Sequence, residues 1–217
     1  MGFKEVTLAA IGYVILYKRP LAKALLVPFV LFMLLDVTEL FEPNLLVSIV
    51  TGVLALMVQT VFAITTHRMI LLGPNSVPEW GLFKWSKRET FFALHVIGLG
   101  LTMVPIALLG LIPIVGLAIA IGTMCWVFAR LSLVFPAIAI DQGVSFKLSW
   151  DLTKNRQLLM FLVVVVFPLA LMIPANLLSF LPYSFLLTSL LATFATVFMV
   201  AALSVSYRLI YRETYES

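Results

Sequence analysis

TFFALHVIGLGLTMVPIALLGLIPIVGLAIAIGTMCWVFA, residues 90–129, contains no Asp, Glu, Lys or Arg. A helix needs about 20 apolar residues to cross a bilayer, so this stretch holds two crossings. Gly110 to Pro113 supplies the tight uncharged turn between them. Arg88 and Glu89 precede the first crossing and Arg130 closes the second, so the charges gather at one end of a hairpin.

The same pattern continues outward in both directions. Apolar spans are expected at about 20–38, 45–70, 90–110, 113–136, 157–177 and 184–207, with turns at Gly73–Pro78, Asp141–Gly143 and Leu181–Pro182. With six crossings, all 14 Lys and Arg residues fall on one face, and the other holds only Asp36, Glu39 and Glu42. A soluble protein has no reason to sort its charges in this way, whereas the positive-inside rule supplies one. The basic face, with both termini, is then the cytoplasmic one.

Composition agrees. The chain of 217 residues is 63% hydrophobic and 11% charged, with a mean hydropathy of +1.14. That is more apolar surface than a soluble core of this size can hide. The expected fold class is an all-α polytopic membrane bundle forming a single transmembrane domain, residues 1–217. The net charge of +4 sits in short clusters at helix ends, which fits anchoring to a membrane and not nucleic-acid binding. No signal-peptide cleavage pattern is expected at the N-terminus. Myristoylation fails because Val6 stands where Ser or Thr is needed. Cys125, the single cysteine, lies inside a span and reads as a packing residue.

Three segments between the spans read as interfacial helices, at about 3–17, 79–88 and 144–155. Trp80, Trp85 and Trp150 are their headgroup-level anchors. Surface segment, basic cluster, outgoing span and span returning to an arginine form a unit that recurs three times. From Arg19 to Arg88 is 69 positions and from Arg88 to Arg156 is 68, and Phe3-Lys4, Phe83-Lys84 and Phe146-Lys147 recur in the surface segments. The returning arginines are Arg68, Arg130 and Arg208. Any series of hairpins with one-sided charge also looks periodic, so the repeat is an expectation for the structure to test.

Residues able to carry chemistry are few. With His67, His95 and one cysteine, neither an HExxH site nor paired CxxC zinc ligands can be built, and no phosphate loop or nucleophile elbow occurs. No catalytic residue, metal or cofactor is therefore assigned. Gln59, His95 and Asn176 are intramembrane polar groups, either interhelical hydrogen-bonding residues or parts of a solute path. Pro28, Pro105, Pro136, Pro168 and Pro174 are expected to kink their spans, as in transporters. Around Arg130, two readings stand side by side. Asp141, Ser149 and Asp151 form a structural clamp on it, or Arg130 joins Arg68, Arg88, Arg156 and Arg208 in holding anionic lipid headgroups. They differ in whether a headgroup completes the charge balance.

Arg130, Pro136, Ala137, Asp141, Ser149, Trp150, Leu152 and Thr153 together resemble the membrane domains of bacterial glycerophosphoryl-diester phosphodiesterases and related multi-pass inner-membrane proteins. The run from His67 to Gly73, with Pro78, Gly81, Trp85, Arg88 and Glu89 downstream, resembles proteobacterial relatives of the same kind. The resemblance spans about the middle half of the chain. It implies a polytopic helical domain with interfacial helices in the bacterial inner membrane. It implies no phosphodiesterase activity, which in the bifunctional proteins belongs to a separate soluble barrel. The expected function is non-catalytic, through anionic phospholipids, a homo-oligomer or a membrane-protein partner, in envelope homeostasis. The alternative is a small-molecule or lipid transporter, or a subunit of one.

Overall fold

The computed structural model describes residues 2–38, 41, 44–81, 84–178, 180 and 185–215. Glu39, Glu42, Phe83 and the turn at Leu181–Pro182 lie outside the described residues. Those that are described form helices and connecting turns, with no strand. Six helices are long and apolar enough to cross a membrane, and the chain is a multi-pass all-α membrane protein.

The first hairpin pairs α2 (Lys18–Thr38) with α3 (Leu45–Leu72). Asn44 caps α3, its Oδ1 accepting from the Val47 amide at 3.0 Å, and Gly73 at φ +91° ends it. The second hairpin pairs α4 (Lys87–Leu108) with a broken span, α5 (Gly116–Leu131) followed by α6 (Val134–Ala139). The break at Ser132–Leu133 precedes Pro136, which has no amide proton for the Ser132 carbonyl and crowds it. The third pairs α8 (Gln157–Phe161) and α9 (Phe167–Leu178) with α10 (Phe185–Tyr215). A π-helical turn, Leu162–Val166, joins α8 to α9 just before Pro168, where the missing donor favours the wider register.

Two surface helices behave as expected of a repeat. α1 (Phe3–Leu16) packs along α10, with Val6 and Ala10 buried against Ala201, Ala202 and Val205. α7 (Phe146–Thr153), capped by Ser145, packs against α5. Each docks on a span that returns to an arginine. The middle unit departs from the pattern: in the segment expected as a helix over 79–88, the described residues before α4, 79–81 and 84–86, are turn or irregular backbone. There the backbone turns at Gly81 with φ +65°, and a Cβ would stand 1.8 Å from the Ala24 carbonyl oxygen of α2. Ser86 then starts α4 in a capping box with Glu89, so the helix begins only at Lys87.

Packing is uneven along the bundle. The buried residues of α3 run from Thr60 to Ile70, with none among its first fifteen. Those of α10 run from Ala195 to Ile210. The bundle is therefore tight at its basic end and more open at the other. Any ligand-sized space in the interior follows from that asymmetry.

Candidate functional site

Four of the five candidate headgroup arginines are engaged by the protein itself. Arg208 on α10 donates to the Ile70 and Leu71 carbonyls at 2.6 and 2.9 Å and to the Tyr13 hydroxyl at 2.7 Å. Arg68 on α3 donates to the carbonyls of Ser76 at 3.2 Å and Ala139 at 3.0 Å. Arg68 and Arg88 share one oxygen of Asp141, at 3.2 and 3.3 Å. Arg88 also holds Glu89 at 2.8 Å. Arg156 makes a two-pronged pair with Glu213, at 3.1 and 2.9 Å.

Arg130 differs from all of these. Its residue is 3% exposed, and the Trp150 ring covers the guanidinium at 4.3 Å. Trp126 meets Trp150 edge-on at 5.2 Å. Neither Nε nor Nη1 has a hydrogen-bond partner among the described residues. Asp151 contributes an attractive charge without bonding to either atom.

The expected clamp takes a different form. Ser149 donates to the Arg130 carbonyl at 2.8 Å, and Thr153 reaches the same oxygen at 3.2 Å. Both hydroxyls hold the Arg130 backbone and leave its charge alone. Asp141 was expected beside Arg130 and is instead paired with Arg68 and Arg88. The cause is α6, which lies between them and by itself carries the chain about 9 Å at helical rise before Asp141 is reached.

A ring of capping interactions explains the exception. The last carbonyls of a helix lack internal donors. Arg208 of α10 supplies them for α3, and Arg68 of α3 supplies one for α6. The matching role for Arg130 would be to cap α10. That helix instead runs on to Tyr215, so its carbonyls beside the ring are bonded within the helix. Two sides of the ring are closed and the third is open.

The interior holds a second constellation. His67, 1% exposed, lies with Nδ1 2.8 Å from the Ser204 hydroxyl. The Ser204 hydroxyl is also 2.8 Å from the Val200 carbonyl, so its one proton goes to one of the two, and Nδ1 donates or accepts according to its tautomer. His67 lines a cavity of about 410 Å³ with Gln59, Ser132 and Thr196 as its other polar groups and an otherwise apolar wall. A second chamber of about 280 Å³ shares Gln59 and Thr196 with the first and reaches Asp36.

The other candidates fall outside these chambers. His95 bonds the Phe91 carbonyl of its own helix at 2.8 Å and packs on the Phe146 ring, 4.7 Å away. Asn176 is exposed on α9. Trp80 and Trp85 are exposed, and Trp85 Nε1 donates to Thr90 at 2.9 Å. Cys125 is half-buried on α5 and free.

Sequence reading missed three residues. Glu89 is wholly buried, with Ser86 and Arg88 as partners, and the Ser86-x-x-Glu89 capping signature was legible. His67 and Asp36 had no such signal, since each needs α10 to give it a partner. No protein-family model, no curated protein and no solved structure matches this chain.

Proposed function

We propose that this is a non-catalytic protein of the bacterial cytoplasmic membrane, with both termini cytoplasmic, that binds the phosphate of an anionic phospholipid at the Arg130 junction. Its role would lie in envelope homeostasis, alone, as an oligomer or with another membrane protein. The resemblance of residues 130–153 to the phosphodiesterase membrane domains belongs to the same reading.

The observation that carries it is the pair of unpartnered donors on a buried guanidinium. Each unsatisfied buried donor costs about 1–3 kcal/mol, and a buried charge without a counter-ion costs several more. A phosphate carries several charged oxygens, each an acceptor for a guanidinium N–H, and charge-assisted bonds of this kind are among the strong ones. Trp150, 37% exposed, is the movable side of the site and an apolar companion for the acyl region. Arg68, Arg88, Arg156 and Arg208 are supports in this reading, since carboxylates and carbonyls already occupy their donors.

Native mass spectrometry after mild delipidation tests it. Retained phosphatidylglycerol or cardiolipin that is lost in Arg130→Ala and kept in Arg156→Ala supports the site. An Arg130→Ala protein that keeps its lipid sinks it.

A second reading, a small transporter or transporter subunit, is favoured by the two chambers that Gln59 and Thr196 share. It keeps Gln59 and Pro168 but loses His95, which lines neither chamber. An Ala63→Cys thiol unreachable by permeant and impermeant reagents from either face would remove it.

A further inference from the structure

Asp36 is a half-buried carboxylate in the last turn of α2, at the end of the span away from the basic face. It lies eighteen positions after Lys18 on α2, about 27 Å from the basic end at helical rise. None of the residues lining either chamber is Lys or Arg. Among the described residues its hydrogen bond is from the Ser189 hydroxyl, at 3.1 Å. A carboxylate has about four acceptor positions, so that one bond leaves room for a further partner.

The walls around it narrow the choice of counter-ion. Phe32 and Phe62 line the same chamber, their rings edge to face at 6.0 Å. Gln59, Ser189, Thr193 and Thr196 are the chamber's other polar residues, and Thr193 gives its proton to the Ser189 carbonyl. A small metal ion is usually held by converging charged or carbonyl oxygens, and Asp36 is the one carboxylate among the described residues lining this chamber. An organic ammonium needs less: one carboxylate, a hydroxyl and π-faces. The larger chamber opens from the same Gln59 and Thr196 and is lined by Phe92, Leu99 and Met103. Its size and its apolar wall with a few polar groups fit a small organic ligand.

We propose that the two chambers form one binding site for an apolar amine, with the ammonium head at Asp36 and the hydrocarbon or aryl body in the larger chamber beyond Gln59. The site is independent of the headgroup reading. It also requires no transport, since binding alone satisfies the carboxylate.

The test uses the full chain in lipid nanodiscs with radiolabelled 4-phenylbutylammonium, read by scintillation proximity against empty nanodiscs. Saturable binding is expected, weakened at least tenfold in Asp36→Asn and not displaced by the neutral 4-phenylbutanol. Ala192→Phe, which fills the smaller chamber and leaves Asp36 in place, is expected to lose binding to the same degree. Absence of saturable binding overturns the proposal. So does equal displacement by the alcohol, which would mark an apolar cavity indifferent to charge. Undiminished binding in either variant, with thermal unfolding showing it intact, overturns it as well.

Discussion

The Arg130 guanidinium lies under the Trp150 ring at 4.3 Å, and the helix that supplies this ring also holds the Arg130 carbonyl through Ser149. One short helix, α7, therefore grips the arginine at both ends. Its charge is covered by an aromatic face, and its backbone is fixed by hydroxyls. The grip orients the side chain while leaving Nε and Nη1 without acceptors among the described residues.

Trp150→Ala removes the cover. A cation–π contact of this kind is worth about 0.5–2 kcal/mol, so a fall of that size is expected in unfolding stability in nanodiscs. Lipid exchange at the site is expected to quicken, since the movable wall is gone. Stopped-flow exchange of a fluorescent phosphatidylglycerol reads the rate. An unchanged rate would mean that Trp150 does not gate the junction.

Ser149→Ala removes the nearer donor to the Arg130 carbonyl, and Thr153→Val removes a hydroxyl that lies 3.2 Å from that oxygen and 2.8 Å from the Ser149 carbonyl, so its proton can turn to either. Each alone is expected to cost about 1 kcal/mol, because the other hydroxyl still reaches the acceptor. The double variant is expected to exceed the sum by at least ~0.5 kcal/mol, the signature of a shared partner. Additive losses in a double-mutant cycle would mean that the two hydroxyls act separately.

Arg68→Ala is expected to be worse than Asp141→Asn, although the two residues form an ion pair. The Asp141 side chain is 60% exposed, and exposed pairs contribute about 0–1 kcal/mol. Arg68 also donates to the carbonyls of Ser76 and Ala139, and hydrogen bonds from charged donors are worth about 1.5–3 kcal/mol each. Chemical denaturation in mixed micelles ranks them. Equal losses would place the value in the ion pair and not in the cap.

Gly81 and Gly73 both sit at positive φ, but only one is crowded. Gly73→Ala is expected to cost about 1–3 kcal/mol, because φ +91° with ψ 170° is a conformation essentially reserved for glycine. Gly81→Ala carries a backbone cost of its own at φ +65° and must also push α2 away, because the Ala24 carbonyl oxygen stands 1.8 Å from the new Cβ. Its loss is expected to be at least ~2 kcal/mol larger, with proteolysis increased between residues 73 and 86. Similar thermal shifts in the two variants would refute the close approach.

The Lys23 ammonium, 2.8 Å away, holds the Glu79 carboxyl below its ordinary value of 4.5, through the hydrogen bond first and the charge second. A depressed acid stabilises above its unfolded pKa and loses that contribution as pH falls through the folded one. Hydrogen exchange at residues 79–81 is therefore expected to quicken as pH falls through the lowered pKa of Glu79 in the native chain. The same step is expected to be absent in Lys23→Ala. Identical pH profiles would show that the pair does not tether this segment to α2.

The six spans and their hairpin pairing were legible because each rests on local quantities, the length of an apolar run and the charges at its ends. The start of α7 was legible to within two residues, since Ser145 is a capping residue at the head of a short amphipathic run. The segment 79–88 was misread because Trp and Lys imply an interface without implying a helix. What decides its shape is the α2 backbone against Gly81, which no local pattern contains. Asp141 was placed beside the wrong arginine for a similar reason. Sequence distance from Arg130 is short, but helical rise converts it into a separation too large to bridge.

By itself the sequence determined that the chain crosses a membrane with its cations gathered at one end, because burial of apolar length and sorting of charge add residue by residue. The tertiary structure alone decided which of those cations the protein leaves without an acceptor. Helix ends are capped by whatever lies beside them in space. α3 and α6 end next to Arg208 and Arg68, whereas α10 continues to Tyr215 and gives Arg130 nothing to cap.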